Sequence, residues 1–257
     1  MLAVAMSVAA VLCAQPANAQ MRAPSGASFT LLDKGQVLGI KSGEKTLGLS
    51  YRAESIADPV RLADEASDLM SALLPEVSVG EYRAVVIMAK VVKGSGIVTA
   101  SESFNSVFTR SPSREWVSAA GGKPDAALEA QLLQAYRKSD AAFKALDWAT
   151  LTSLAADEFT HTLANRTQRT LEQELAALRA NVKSIDSVTT LVVSFFRRKD
   201  RVFVVTLQQT VGAFADDKGA IHKVKDTTNA ADIWIMKGKE LRITRSVDLR
   251  EQANPVP

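Results

Sequence analysis

Between Leu191 and Leu249 the chain holds four β-type runs, LVVSFFRR, RVFVVTLQQTVGAF, HKVKDTTNAADIWIM and LRITRSVDL, separated by short polar breaks. Val, Ile, Thr, Phe and Trp dominate the runs. The breaks carry Lys199-Asp200, Asp216-Asp217-Lys218-Gly219 and Lys237-Gly238-Lys239-Glu240, which is turn chemistry. Such a stretch folds as a meandering antiparallel sheet. A sheet this apolar must bury one face, so the helical segments that precede it are expected to cover it.

A chain of 257 residues, 47% hydrophobic and 23% charged, has the composition of one large globular domain or two ordinary ones. Met1 to Ala19 carries no charge, contains the run LAVAMSVAAVL and ends Ala17-Asn18-Ala19 before Gln20, the small-x-small form of a signal-peptidase site. A cleaved secretory signal over residues 1–19 is the expectation, with a periplasmic or secreted mature protein. The missing Lys or Arg at its start departs from the usual pattern. A membrane anchor is the alternative, but the apolar run is shorter than the roughly 20 residues a span needs, so no stable span is expected after cleavage.

Cys13 is the only cysteine, and it falls within that segment. The mature chain would then have no disulfide, thiol nucleophile or thiolate metal site. The net charge of +3 is spread: residues 20–124 carry 12 basic and 11 acidic side chains, and residues 125–257 carry 19 and 17. Neither half has the basic excess of a nucleic-acid binder. The one cluster, Arg197, Arg198, Lys199 and Arg201, flanks two sticky strands, where charges act as gatekeepers against edge pairing.

In chain order, Gln20 to Ala27 reads as loose, and Phe29 to Tyr51 as three short strands cut at Lys34-Gly35 and Lys41 to Glu44. Asp58-Pro59 opens a helix whose Leu62, Ala66, Leu69 and Leu73 share a face until Pro75. Strands are expected at Tyr82 to Val92, Ser101 to Arg110 and around Trp116. Residues 28–118 therefore read as a small α+β domain, one helix on an antiparallel sheet. The stretch SAAGGKP, Ser118 to Pro124, is the expected boundary. Beyond it come a helix over Asp125 to Leu146, a short one over Trp148 to Ala156, a strand over Asp157 to Leu163, and a third helix opened by the Thr170-Leu171-Glu172-Gln173 capping box.

Three helices, one strand between the second and third, and a long terminal meander resemble the nuclear transport factor 2-like superfamily, which includes polyketide-cyclase-like (SnoaL-like) proteins and ketosteroid isomerase. The residues that carry the resemblance are Asp147-Trp148, Asp157-Glu158-Phe159, Ala231-Asp232-Ile233-Trp234, Lys237-Gly238-Lys239 and Leu241-Arg242-Ile243. It covers about half the chain and implies that residues 125–251 form a cone-shaped α+β barrel, three helices on a curved antiparallel sheet. The superfamily hosts enzymes, binders and assembly modules, so the likeness alone assigns no activity. Carried over, the isomerase tyrosine falls at Ser139, its carboxylate base at Leu163 and its second oxyanion donor near Ala230, which removes that mechanism.

His161 and His222 are the only histidines, on different strands and without metal-ligand spacing, so neither a metal nor another cofactor is expected. No nucleophile elbow, phosphate loop or dinucleotide fingerprint occurs. Strand parity is more specific. If Met236 faces Leu241, strict pairing sets Trp234 opposite Ile243 and Asp232 opposite Arg245, with Asp232, Trp234 and Met236 on one face. In the resembled fold that face looks into the cone, together with His161. A polar cavity walled by Tyr136, Trp148 and Phe159 is the functional expectation, against a plain cross-strand ion pair as the bland one. Three readings follow: a receptor for a small amphipathic or carboxylate ligand held by Arg245; a hydrolase or lyase with His161 as base, oriented by Asp232; and an assembly module that forms a homodimer.

Overall fold

The computed structural model describes residues 19–37, 44–93, 100–216, 218–238 and 240–255. The expected signal segment up to Asn18, and the middle one of the three short strands expected between Phe29 and Tyr51, fall wholly or largely outside them. The chain divides into two compact units, Met1–Pro112 with Trp116–Pro124, and Ser113–Glu115 with Asp125–Pro257. Among the described residues no helix is long and apolar enough to cross a membrane.

The first unit orders its strands β1 (Gln20–Arg22), β2 (Ser28–Val37), β3 (Thr46–Arg52), β4 (Ala84–Lys93), β5 (Ala100–Arg110) and β6 (Glu115–Ser118). Three expectations fail here. Gln20 to Arg22 is not loose but pairs with Ser28 to Thr30. Lys34-Gly35 is not a turn: β2 runs through it, with Gly35 opposite Gly48. The sheet is mixed, because β3 and β4 are parallel. Helix α1 (Pro59–Val79) is the crossover between them, which parallel neighbours require. The Asp58 side chain caps α1 by accepting from the backbone N–H groups of Val60 and Arg61. The helix continues four residues past Pro75, because the loss of one backbone donor is offset by burial of Leu74 and Val77 on the same face.

In the second unit α2 (Ala126–Lys144) starts on Asp125, whose side chain accepts from Leu128 N. α3 (Trp148–Leu154) starts on Asp147, and α4 (Leu171–Asn181) on Thr170. At Thr170 the capping box closes both ways: its hydroxyl accepts from Gln173 N, and the Gln173 side chain accepts from Thr170 N. The strands are β7 (Ala155–Thr162), β8 (Gln168–Thr170), β9 (Val182–Arg198), β10 (Arg201–Ala215), β11 (Ile221–Lys237) and β12 (Glu240–Pro255), in the order β9-β10-β11-β12-β7-β8. β9 begins well before the run at Leu191, with Val182 and Ile185 as its inward residues in a polar stretch. The meander is antiparallel, but β7 joins β12 in parallel, so this sheet too is mixed.

Bulges curl the sheet. Register shifts fall at three places between β9 and β10 and at two between β11 and β12, and each extra residue sharpens the local twist. At Gly212 the strands come so close that a Cβ would lie 2.4 Å from the Ser184 carbonyl oxygen, so only glycine fits. One face of α2, Leu128, Leu132 and Tyr136, fills the hollow against Val192, Phe195, Val202, Val204, Trp234 and Leu241. The unit is thus α+β, with three helices against one large curved sheet.

Candidate functional site

The hollow of the second unit is not packed shut. A cavity of about 240 Å³ lies between the sheet and the helices, its wall including Tyr136, Phe159, His161, Asp232 and Trp234. A second, of about 420 Å³, shares His161, Glu174, Leu178, Gln208, Thr228 and Asp248 with it, and adds Arg169, Asp226 and Glu251.

At the wall of the first cavity, Asp232 is 5% exposed and Tyr136 6%. The Tyr136 hydroxyl donates to Asp232 Oδ2 at 2.7 Å and accepts from Trp234 Nε1 at 2.9 Å, while Ser246 Oγ donates to Asp232 Oδ1 at 2.7 Å. The Tyr136 and Trp234 rings also meet edge to face, centroids 5.2 Å apart. Burial pushes the Asp232 carboxyl up, and the Ser246 and Tyr136 hydrogen bonds pull against it without cancelling it. Tyr136 is pushed well above the usual phenol range, first by burial and then by the Asp232 charge.

The second cluster centres on His161, whose side chain is 15% exposed. Its Nε2 lies 3.1 Å from Asp248 Oδ1 and its Nδ1 3.2 Å from Glu174 Oε2, which also receives Arg169 Nη1 at 3.2 Å. Burial pulls the imidazole down, but the hydrogen bonds to Asp248 and Glu174 and their charges carry it up to about 10. Burial likewise pushes Glu174 up, and His161 and Arg169 outweigh it, leaving that carboxyl below the usual range. His161 is therefore an imidazolium at neutral pH with both N–H groups engaged, which is no state for a general base.

Two bulges in β12 decide which residues reach this site. β12 pairs Trp234 with Ile243, then Ile233 with Arg245, so Thr244 is the extra residue and parity flips. Asp232 consequently faces Ser246, and Arg245 turns to solvent. The expected Asp232–Arg245 pair is thus not formed. A second bulge, at Leu249, flips parity again, so that Ile243, Ser246, Asp248, Glu251 and Ala253 all line the cavities.

Of the residues singled out in the sequence, the structure brings Tyr136, Phe159, His161, Asp232 and Trp234 together. Trp148 is half-buried at the start of α3 and lines neither cavity, where Leu151 stands instead. His161 and Asp232 do not form the expected base and orienting pair, because each is hydrogen-bonded to other partners. Ser246, Asp248, Glu174 and Asp226 were not foreseen. The only signal for Ser246 was the chemical need of a buried Asp232 for donors, which the sequence does not locate, and the three carboxylates had none.

One curved sheet closed by three helices over adjoining cavities defines a cone-shaped, pocket-bearing α+β fold. No protein-family model and no curated protein matches the chain. Solved structures that it is similar to include a conserved protein from Planctomyces limnophilus, 18% identical, covering 51% of this chain and 100% of that one, with a TM-score of 0.42. Another is an NTF2-like protein from Cytophaga hutchinsonii, 16% identical, covering 49% and 95%, with a TM-score of 0.38. LinA is similar at 12% identity over 51% and 90%, with a TM-score of 0.44. NTF2-like and LinA-type folds thus stand among the neighbours of about half the chain.

Proposed function

We propose that the second unit is the small-molecule-binding domain of an exported protein, with an amphipathic ligand held in the adjoining cavities of the cone. The observation that carries this reading is the Tyr136, Asp232, Ser246 and Trp234 network, buried at the wall of a 240 Å³ space. A carboxylate in such a place costs free energy that an apolar side chain would not, so a wall built for packing alone gains nothing from it. Convergent polar groups among aromatic and aliphatic walls are what an orienting ligand site needs. Export is supported by the uncharged Met1 to Ala19 run and its Ala17-Asn18-Ala19 ending.

A carboxylate ligand is no longer favoured. Arg245 points to solvent, and the two cationic side chains of the lining, Arg169 and His161, already hold Glu174 and Asp248.

Native mass spectrometry of the protein purified from its own host tests the reading. The expected spectrum shows a chain beginning at Gln20 plus the mass of one small molecule that is released on denaturation. Bare-chain masses only, together with no rise in melting temperature from any small amphiphile, would overturn it.

A further inference from the structure

The second cavity has an excess of acid. Glu174, Asp226, Asp248 and Glu251 line it against Arg169 and His161. Glu174 and Asp248 are the two carboxylates that clamp His161, and Glu174 also takes Arg169. Asp226 is placed differently. Its Oδ2 accepts from Thr228 Oγ1 at 2.8 Å and the Thr227 backbone N–H also holds the carboxyl down, but among the described residues its buried Oδ1 meets no donor in hydrogen-bond geometry. A buried acceptor left unpaired is costly, so it marks a place where something else belongs.

The register explains how these groups converge. β11 and β12 set Asp226 opposite Ala253, Thr228 opposite Glu251 and Ala230 opposite Asp248, and the Leu249 bulge turns Asp248 and Glu251 to one side despite their spacing of three. Desolvation pushes the Asp226 and Glu251 carboxyls up, joined at Glu251, which is itself exposed, by the charges of Asp226 and Asp248, the direction expected where acids lack a compensating cation. The rest of the lining mixes neutral polar groups, Asn181, Gln208, Thr210 and Thr228, with an apolar wall that includes Phe143, Leu178, Val182, Phe214 and Val224.

We infer that the ligand of these cavities is an organic cation, an amine with an apolar body, whose ammonium group sits against Asp226 and between Asp248 and Glu251. This rests on the ligand-binding reading above and adds the sign of the ligand's charge. An ammonium carries three donors and one positive charge, so it satisfies Asp226 Oδ1 and offsets the acid excess in one step. A metal ion fits less well, since no group of three or more ligating side chains among the described residues could hold one.

The test is calorimetric titration of the full chain at about pH 7 with hexylamine, 1-hexanol and hexanoate, which share one tail and differ in charge. Hexylamine is expected to bind saturably and at least about tenfold more tightly than hexanol, with hexanoate the weakest and the amine's advantage shrinking in salt. Asp226→Asn should remove about tenfold of hexylamine affinity and leave hexanol unchanged. Glu251→Gln, on the neighbouring strand, should act in the same direction and serves if the first variant does not fold. Equal binding of amine and alcohol, or tightest binding of hexanoate, would overturn the cation while leaving the cavity reading standing. Absence of binding by all three would overturn both.

Discussion

Asp232 has one hydroxyl on each carboxylate oxygen, and Tyr136 is the more consequential of the two because it also accepts the Trp234 indole N–H. Tyr136→Phe removes a single oxygen and strands a buried donor and a buried acceptor at once. A loss of about 1–3 kcal/mol in urea melts is expected. Arg245→Ala should cost at most about 1 kcal/mol, because that side chain is exposed and the Asp232 carboxylate it was expected to pair with faces Ser246. At this scale the sequence could be read as far as a period of two holds. Along β11, Asp232 and Trp234 share the inward side and were legible. Along β12 the period breaks at Thr244 and Leu249, and no residue type there announces a bulge, so Ser246 and Asp248 stayed hidden.

Bulges and ties between elements set the cone's shape. Gly212→Ala would drive a methyl group to 2.4 Å from the Ser184 carbonyl oxygen, and backbone cannot yield as a side-chain tip can. A loss of about 1–3 kcal/mol is expected, read as a lowered urea midpoint. His161 ties β7 to β12 through Asp248 and to α4 through Glu174, with Arg169 on β8, Asp232 on β11 and Glu251 on β12 the other charges near it. Its folded value of about 10 lies above the ordinary 6.5, so its contribution is fully present below about pH 6.5 and is lost as pH rises through about 10. Glu174, held below its ordinary 4.5, contributes above that value and loses its contribution as pH falls through its folded one. Urea melts should therefore show stability falling between about pH 6.5 and 10, and His161→Gln should flatten that slope. An unchanged slope in the variant would remove the tie from the account of alkaline stability.

For the molecule as a whole, the two units differ in how much the sequence discloses. In the second unit helix starts are written in local chemistry, at Asp125, Asp147 and Thr170, and consecutive strands pair with one another, so element order follows from the chain. In the first, the parallel pairing of β3 with β4 depends on a crossover through α1, and strand composition carries no sign of direction. The same holds for β7 beside β12, and that pairing has a kinetic side. His161 meets Asp248 across 87 positions of sequence, so the free edge of β7 waits for β12 through the synthesis of the whole meander. Contacts of such separation form late and slowly. A chain emerging from its N-terminus cannot close the cone early, so this half stays open until the last strand of the meander has been made.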